Sequence, residues 1–566
     1  MARHRPTDAS AIDEVAEDGA IGRDPAVATE PAEKPQLPAS QAGIADLPLH
    51  PFLFAAFSVF APYAANLRET SFADVVVPLL VVTMATALLF IVVGRLAGRY
   101  GPRTALVTSI VLAGTIFHLD TFSWVNRLLG GAIPMTAAVP ATVLAMAGLI
   151  SIVAIVRFNL TLPNAVLNGM AFVLLVVPVW QAGSHELRRL QEEGGSATTH
   201  AADVGGFGTA ASAALGAEKQ PDIYYFIFDR YGSNATLARE FGFDNSGLTR
   251  FLEGHGFYVA SESRANYLKT APSLAATFNM DYINFLAREE RASHGDWHPV
   301  YGMLKDHKVG RFLKSKGYRF IQIGSWWNPT EHNSFADESY SFGFTEFEWL
   351  YMRKTLFPPL LEAVAPRNGL AQTLAWDAGQ CRRVPLQFEK VKAIGERPEP
   401  TFTFIHVLLP HEPFVFDEYG RCHTQKWSWT IGVTPGYTGQ VRYANRLIEE
   451  TVASLLGRGG PKPIIIIQAD EGPFPERYRF SNLSWQKATK AELQMKMGIL
   501  NAFYFPDGDY RDLYRSITSV NTFRVVLNKY FGTDMDLLPD RIYAFPDVFH
   551  IYDFYEITDI AGAAAD

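Results

Sequence analysis

No Arg/Lys-rich helix and no known nucleic-acid motif occurs in the 566 residues, and the net charge of −8 is spread along the chain. Nucleic acid is therefore not an expected partner. No apolar run begins before residue 45, too late for an ordinary secretory signal peptide. Acids and bases are almost missing from the apolar runs between residues 47 and 182, which argues against a transporter, whose ion and substrate path needs them. Cysteine is scarce. Cys381 and Cys422 stand alone, and sequence leaves both their pairing and their free state open. What is plentiful is apolar: 48% hydrophobic and 13% aromatic content excludes a disordered protein, and the length exceeds one ordinary domain.

Composition divides the chain. Residues 1–46 are polar and Ala/Pro/Glu-rich, expected to be a disordered cytoplasmic tail. Residues 47–182 hold five apolar runs, at 49–66, 72–94, 105–117, 137–156 and 162–180, expected as about five transmembrane helices. The short third run has a re-entrant or interfacial segment as its alternative reading. Arg95, Arg99, Arg103 and Arg157 lie in one set of loops, and only Arg68 and Arg127 in the other. By the positive-inside rule the N-terminus is cytoplasmic and the C-terminal domain extracytoplasmic, in the cell membrane. Residues 183–220 read as a flexible linker, 221–550 as the outer domain and 551–566 as a C-terminal tail.

The outer region alternates strands and helices: "DIYYFIFD" (222–229) reads as an apolar strand, and "GYRFIQIGS" (317–325), "TFTFIHVLLP" (401–410) and "PIIIIQAD" (463–470) as further buried-type strands. Such alternation predicts an α/β doubly wound, mostly parallel sheet with helices on both faces. Ligands gather where such strands end. One strand ends in Asp229, another in Asp470-Glu471, and "HVLLPHEPFVFD" supplies His406 and His411. A lone acid there is an ordinary turn residue; three such ends on one sheet edge point to a metal site. Thr270, in "KTAPSL", precedes a helix and reads either as a nucleophile at the helix N-terminus or as its cap.

The motifs "PDIYYFIFDRYG", "NYLKTAPSLAATFNMDY", "FIHVLLPHEPFVFD", "IIIIQADEGP" and "SVNTFRVVLNKYFG" resemble the sulfatase-like branch of the alkaline phosphatase superfamily over roughly 221–550. The layout is similar to that of its membrane-anchored members, the lipoteichoic acid synthases and phosphoethanolamine transferases. The resemblance implies that Asp229 and Asp470 bind a divalent metal and that Thr270 is the nucleophile the metal activates. It implies that His411 contacts the transferred group, with His406 a weaker candidate for the same task. Two departures stand out. "TAPSL" has Thr270 and Leu274 where sulfatases carry a modifiable Cys or Ser and an Arg, so formylglycine chemistry is excluded. Glu471 replaces the usual histidine.

The expected activity is metal-dependent phosphotransfer or phosphohydrolysis on a lipid-linked or glycopolymer substrate of the cell envelope. Asp229, Thr270, Asp470 and Glu471 would give an all-oxygen shell, favouring Mn²⁺, Mg²⁺ or Ca²⁺ over Zn²⁺. The rival expectation is a degenerate domain that binds an envelope ligand without catalysis. The oligomeric state is not legible.

Overall fold

A computed structural model describes residues 47–134, 137–157, 159–200, 220–288, 295–364, 379–395, 397–423, 425–479 and 481–562. The tail expected at 1–46 lies outside the described residues.

Six helices cover the five apolar runs: α1 (His50–Ala65), α2 (Phe72–Leu96), α3 (Pro102–Ile116), α4 (His118–Leu128), α5 (Ala138–Ile155) and α6 (Thr161–His200). Three of them, α2, α5 and residues Thr161–Leu190 of α6, are long and apolar enough to cross a membrane. Helix α1 is a shorter apolar helix, and α3 bends by 79° into α4. The third run is thus half of a broken pair rather than a straight span. Helix α6 continues to His200, so the first part of the expected linker is helical, and 201–219 lie outside the described residues.

The outer domain is built on a seven-stranded sheet. Its strands are β1 (Ile223–Phe228), β2 (Tyr258–Val259), β3 (Arg319–Ile323), β4 (Glu338–Tyr340), β5 (Thr401–Val407), β6 (Ile464–Gln468) and β7 (Asn501–Tyr504), in the order β2-β7-β6-β1-β5-β3-β4. The run β6-β1-β5-β3-β4 is parallel, and β7 and β2 add antiparallel. Strands β1 and β6 read IYYFIF and IIIIQ and are buried at every position, as expected of strands covered on both faces. This is the mostly parallel α/β sheet that the sequence pattern predicts.

Register places the site. Ile227 pairs with His406 on one side and with Gln468 on the other. Asp229 follows β1, His406 is the penultimate residue of β5, and Asp470 lies two residues past β6. Three adjacent parallel strands therefore deliver these side chains to one edge.

Residues 551–562 are not a tail. Strand β9 (Tyr555–Glu556) pairs with β8 (Tyr543–Ala544), and Ile551, Tyr552, Ile557 and Ala561 are buried in the main core. Their apolar side chains tie the segment to the domain. Cys381 and Cys422 form a disulfide with Cα atoms 5.7 Å apart, resolving the alternative left open by sequence.

The outer domain is seated on the membrane helices. The Trp297 amide donates to the Arg68 carbonyl (3.0 Å), the Asn328 amide group to Asp74 (2.7 Å), and the Leu356 amide to the Thr115 carbonyl (2.7 Å). Phe347 packs among Ala55, Val59, Tyr63 and Val75.

Candidate metal centre and its cationic surround

Asp229, His406 and Asp470 are buried and bring one ligand atom each to within 4.8 Å of the others. His406 Nε2 lies 3.6 Å from Asp229 Oδ2. His406 Nδ1 lies 2.7 Å from Thr330 Oγ1, which also reaches Ser325 Oγ at 2.9 Å. Burial holds the imidazole down at about 4, so the ring is neutral at physiological pH. We assign the ring proton to Nδ1, donating to Thr330, because Thr330 has Ser325 as an acceptor for its own proton. That tautomer turns the bare Nε2 lone pair toward the two carboxylates, as metal-binding histidines require.

Asp229 Oδ1, His406 Nε2 and Asp470 Oδ2 have no hydrogen-bond partner in the protein. Buried acceptors left this way are costly unless a cation completes them. Burial, reinforced by the Glu471 charge and countered by Arg230, raises Asp229 to about 7. Burial and the charges of Asp229 and Glu471 raise Asp470 to about 8. A divalent cation among the three groups reverses that preference and keeps both acids ionised. The donor set, two carboxylates and one imidazole, fits such an ion.

Thr270 opens the helix Thr270–Asn279, whose N-cap is Lys269 with no side-chain cap bond. The cap reading of Thr270 therefore has no support. Its hydroxyl is near enough to the Asp470 side chain to favour the ionised carboxylate, at the border of the three-residue group. The Ser273 hydroxyl, one turn on, donates to the Asp470 carbonyl at 2.6 Å and ties the helix to the end of β6.

Glu471 does not join that group. Its carboxylate pairs with Lys496 at 2.7 Å and with Arg230 at 3.3 Å. The reason is local charge. Arg230, Lys269 and Lys496 all crowd the face of one ring, Phe474, at 4.3, 4.3 and 3.5 Å from its centroid, and need a buried anion among them. Gly472 makes the pairing possible: a Cβ there would lie 2.4 Å from the Met495 carbonyl, so only glycine lets the segment bearing Lys496 come this close. The group whose atoms converge thus takes the His406 imidazole rather than the Glu471 carboxylate expected for an all-oxygen shell.

Arg230 is itself constrained. It has φ 63°, a left-handed conformation that is costly for a side chain of this size. The Tyr437 hydroxyl donates to its carbonyl (2.7 Å), and its amide donates to Asp470 Oδ1 (3.2 Å). Strain held by such clamps is characteristic of functional sites.

His411 is not among the three converging ligand groups and lines a narrow, nearly filled pocket with Arg230, Phe414, Tyr437 and Phe474. Its Nδ1 donates to the Glu412 carbonyl. Burial of the ring, then the positive charge of Arg230, holds it well below its ordinary value.

Sequence reasoning passed over Arg230, Lys269, Lys496 and Thr330. Arg230 and Lys269 adjoin Asp229 and Thr270 and were visible as neighbours of candidate residues. Lys496, a lone charge between Met495 and Met497, was a weaker signal. Thr330 reaches His406 only through the fold.

Residues 245–525 match the sulfatase family model. The matched stretch contains Thr270, His406, His411, Asp470 and Glu471 and begins after Asp229. No curated protein matches the chain in sequence. Similar solved structures include the C-terminal periplasmic domain of EcEptC from Escherichia coli in complex with Zn, at 9% identity and TM-score 0.40, over 61% of this chain and 96% of that one. The lipooligosaccharide phosphoethanolamine transferase EptA from Neisseria meningitidis, an integral membrane protein, is similar over 85% of this chain and 94% of its own, at 11% identity and TM-score 0.35. The phosphonate monoester hydrolase of Agrobacterium radiobacter is similar over 57% and 80%, at 10% identity and TM-score 0.37.

Proposed function

We propose, from a sulfatase-family domain joined to membrane helices, a metal-dependent phosphotransferase or phosphohydrolase that works through Thr270 on a membrane-linked substrate outside the cytoplasm. The observation that carries this reading is the convergence of three buried ligand atoms that lack protein partners, with Thr270 at the start of its helix beside Asp470.

Asp229, His406 and Asp470 would hold the ion. Three protein ligands leave a position open for substrate, and the imidazole moves the preference from Mg²⁺ and Ca²⁺ toward Zn²⁺ or Mn²⁺. Bound there, a divalent ion supplies charge neutralisation to the phosphoryl oxygens and lowers the pKa of a coordinated hydroxyl. Thr270 Oγ1 attacks phosphorus, its proton passing to the Asp470 carboxylate, while the bond from phosphorus to the departing oxygen breaks. Arg230, Lys269 and Lys496 surround the same region with positive charge and suit an anionic substrate. Neutral His411 begins as a proton acceptor, suited to the water or hydroxyl that then releases the phosphothreonine. The loop arginine bias and the Cys381–Cys422 disulfide support an extracytoplasmic outer domain.

The test is metal analysis of purified protein combined with mass spectrometry of Thr270 after incubation with envelope lipids. Bound metal and a phosphoryl adduct on Thr270 support the reading. A metal-loaded protein that turns over without any adduct on this residue removes the nucleophile from it.

A further inference from the structure

The contacts between the two halves of the molecule fix which helix ends share a side. The loop between α1 and α2 and the first turn of α2 are held by the outer domain through Leu67, Arg68 and Asp74, with His298 Nε2 2.9 Å from the Leu67 carbonyl. The end of α3 is held through Thr115. At the opposite ends, Arg103 at the start of α3 donates to the carbonyls of Val153 and Val156 at the close of α5, at 2.8 and 2.5 Å. Asn164, early in α6, donates to the Leu47 carbonyl before α1, at 3.0 Å. Helices α1, α2, α3, α5 and α6 thus run between the same two levels, and α4 lies at the level of the outer domain.

Helix α4 turns 79° from α3, so if α3 runs across the bilayer, α4 lies close to its plane. It buries His118 and Phe122 and exposes Trp124, Val125 and Leu128, with Leu129 just beyond. The outer domain descends to meet this level. Its helix Glu346–Arg353 packs Phe347 among α1 and α2, and the Tyr351 hydroxyl lies 2.7 Å from Ser58 Oγ. Ser58 is seven residues inside the outer end of α1, about 10 Å down at 1.5 Å per residue. The same helix leaves Leu350 exposed, and the next helix, Phe357–Val364, tied to the end of α3 through Leu356, exposes Phe357 and Leu360.

We propose that α4 and the outer-domain helices Glu346–Arg353 and Phe357–Val364 form a collar seated in the headgroup–acyl boundary of the leaflet on the outer-domain side. Exposed apolar side chains at this level suit that boundary, where amphipathic in-plane helices bury about 5–10 Å. Exposed Arg127, Arg353 and Lys354 at its rim match lipid phosphates. The collar is continuous with the exposed apolar faces of α2, α5 and α6, so a single apolar medium covers both. The collar holds the outer domain down on the membrane and does not depend on the chemistry assigned to Thr270.

The experiment places a nitroxide on single cysteines at Leu128, Leu350, Phe357 and Leu360 of the full chain in phosphatidylglycerol-containing nanodiscs. The two native cysteines are joined, so labelling is specific. Collision with oxygen is compared with collision with a water-soluble nickel chelate, taking Val177 as the bilayer reference and exposed Asp512 as the aqueous one. All four labels are expected to favour oxygen at a common shallow depth. Labels on Leu350, Phe357 and Leu360 that match Asp512 overturn the proposal. Spin–spin broadening that persists in excess lipid would contradict it as well, by making a second copy the occupant.

Discussion

The Lys496 ammonium lies 2.7 Å from the Glu471 carboxylate, and both side chains are closed off from solvent. This pair accounts for a glutamate standing where the family resemblance implies a histidine: the carboxylate anchors cations instead of a metal. Glu471→Gln should therefore keep its metal while losing activity, read by metal analysis beside turnover. Loss of metal would restore Glu471 as a ligand.

The same pair sets a stability test. Removing one partner strands a buried charge, so Lys496→Met should lower stability by about 3 kcal/mol or more. Adding Glu471→Gln should recover part of that loss. A double-mutant cycle on unfolding should show coupling above about 1 kcal/mol. Additive losses would mean that the two groups do not sense each other.

His406 and His411 should separate cleanly. His406→Ala removes one of three ligand atoms and should strip the metal, and Thr330→Val, which unsettles the ring tautomer, should weaken metal affinity about 10–100-fold. His411→Ala should keep metal and lose turnover. Equal metal loss in both histidine variants would contradict the geometry.

The fold was legible in the sequence because β1, β5 and β6 are unbroken apolar runs that end in chemistry. Register then needed only the parallel order to bring Asp229, His406 and Asp470 together. The role of His406 was underrated because a histidine inside a strand most often faces a core, and nothing local reveals Thr330 behind it. Glu471 was misassigned because adjacency to Asp470 says nothing about Lys496, which arrives only through the close approach at Gly472. At the end of the chain "DVFHIYDFYEITD" reads as a small edge strand or add-on, and β9 with the buried Ile551, Tyr552 and Ile557 makes part of the expected tail core.

Metal should stabilise more as pH rises. Asp229 and Asp470 have folded-state pKa values raised to about 7 and about 8, above their unfolded value of 3.8. The metal-free folded chain then binds more protons than the unfolded chain, and its stability falls as pH rises from about 4 through 7. Lys496, lowered to about 7, acts in the opposite sense only above that point. Between pH 5 and 7 the rise in Tm on adding Zn²⁺ or Mn²⁺ should therefore grow. A constant rise across this window would mean that the ion binds elsewhere.

The most direct measurement is turnover of folded, metal-loaded Thr270→Ala beside the wild type and Thr270→Ser, each followed by intact mass. The account predicts no turnover and no adduct in Thr270→Ala, and a phosphoryl adduct at residue 270 in the other two. Wild-type turnover in Thr270→Ala with its metal in place would contradict it.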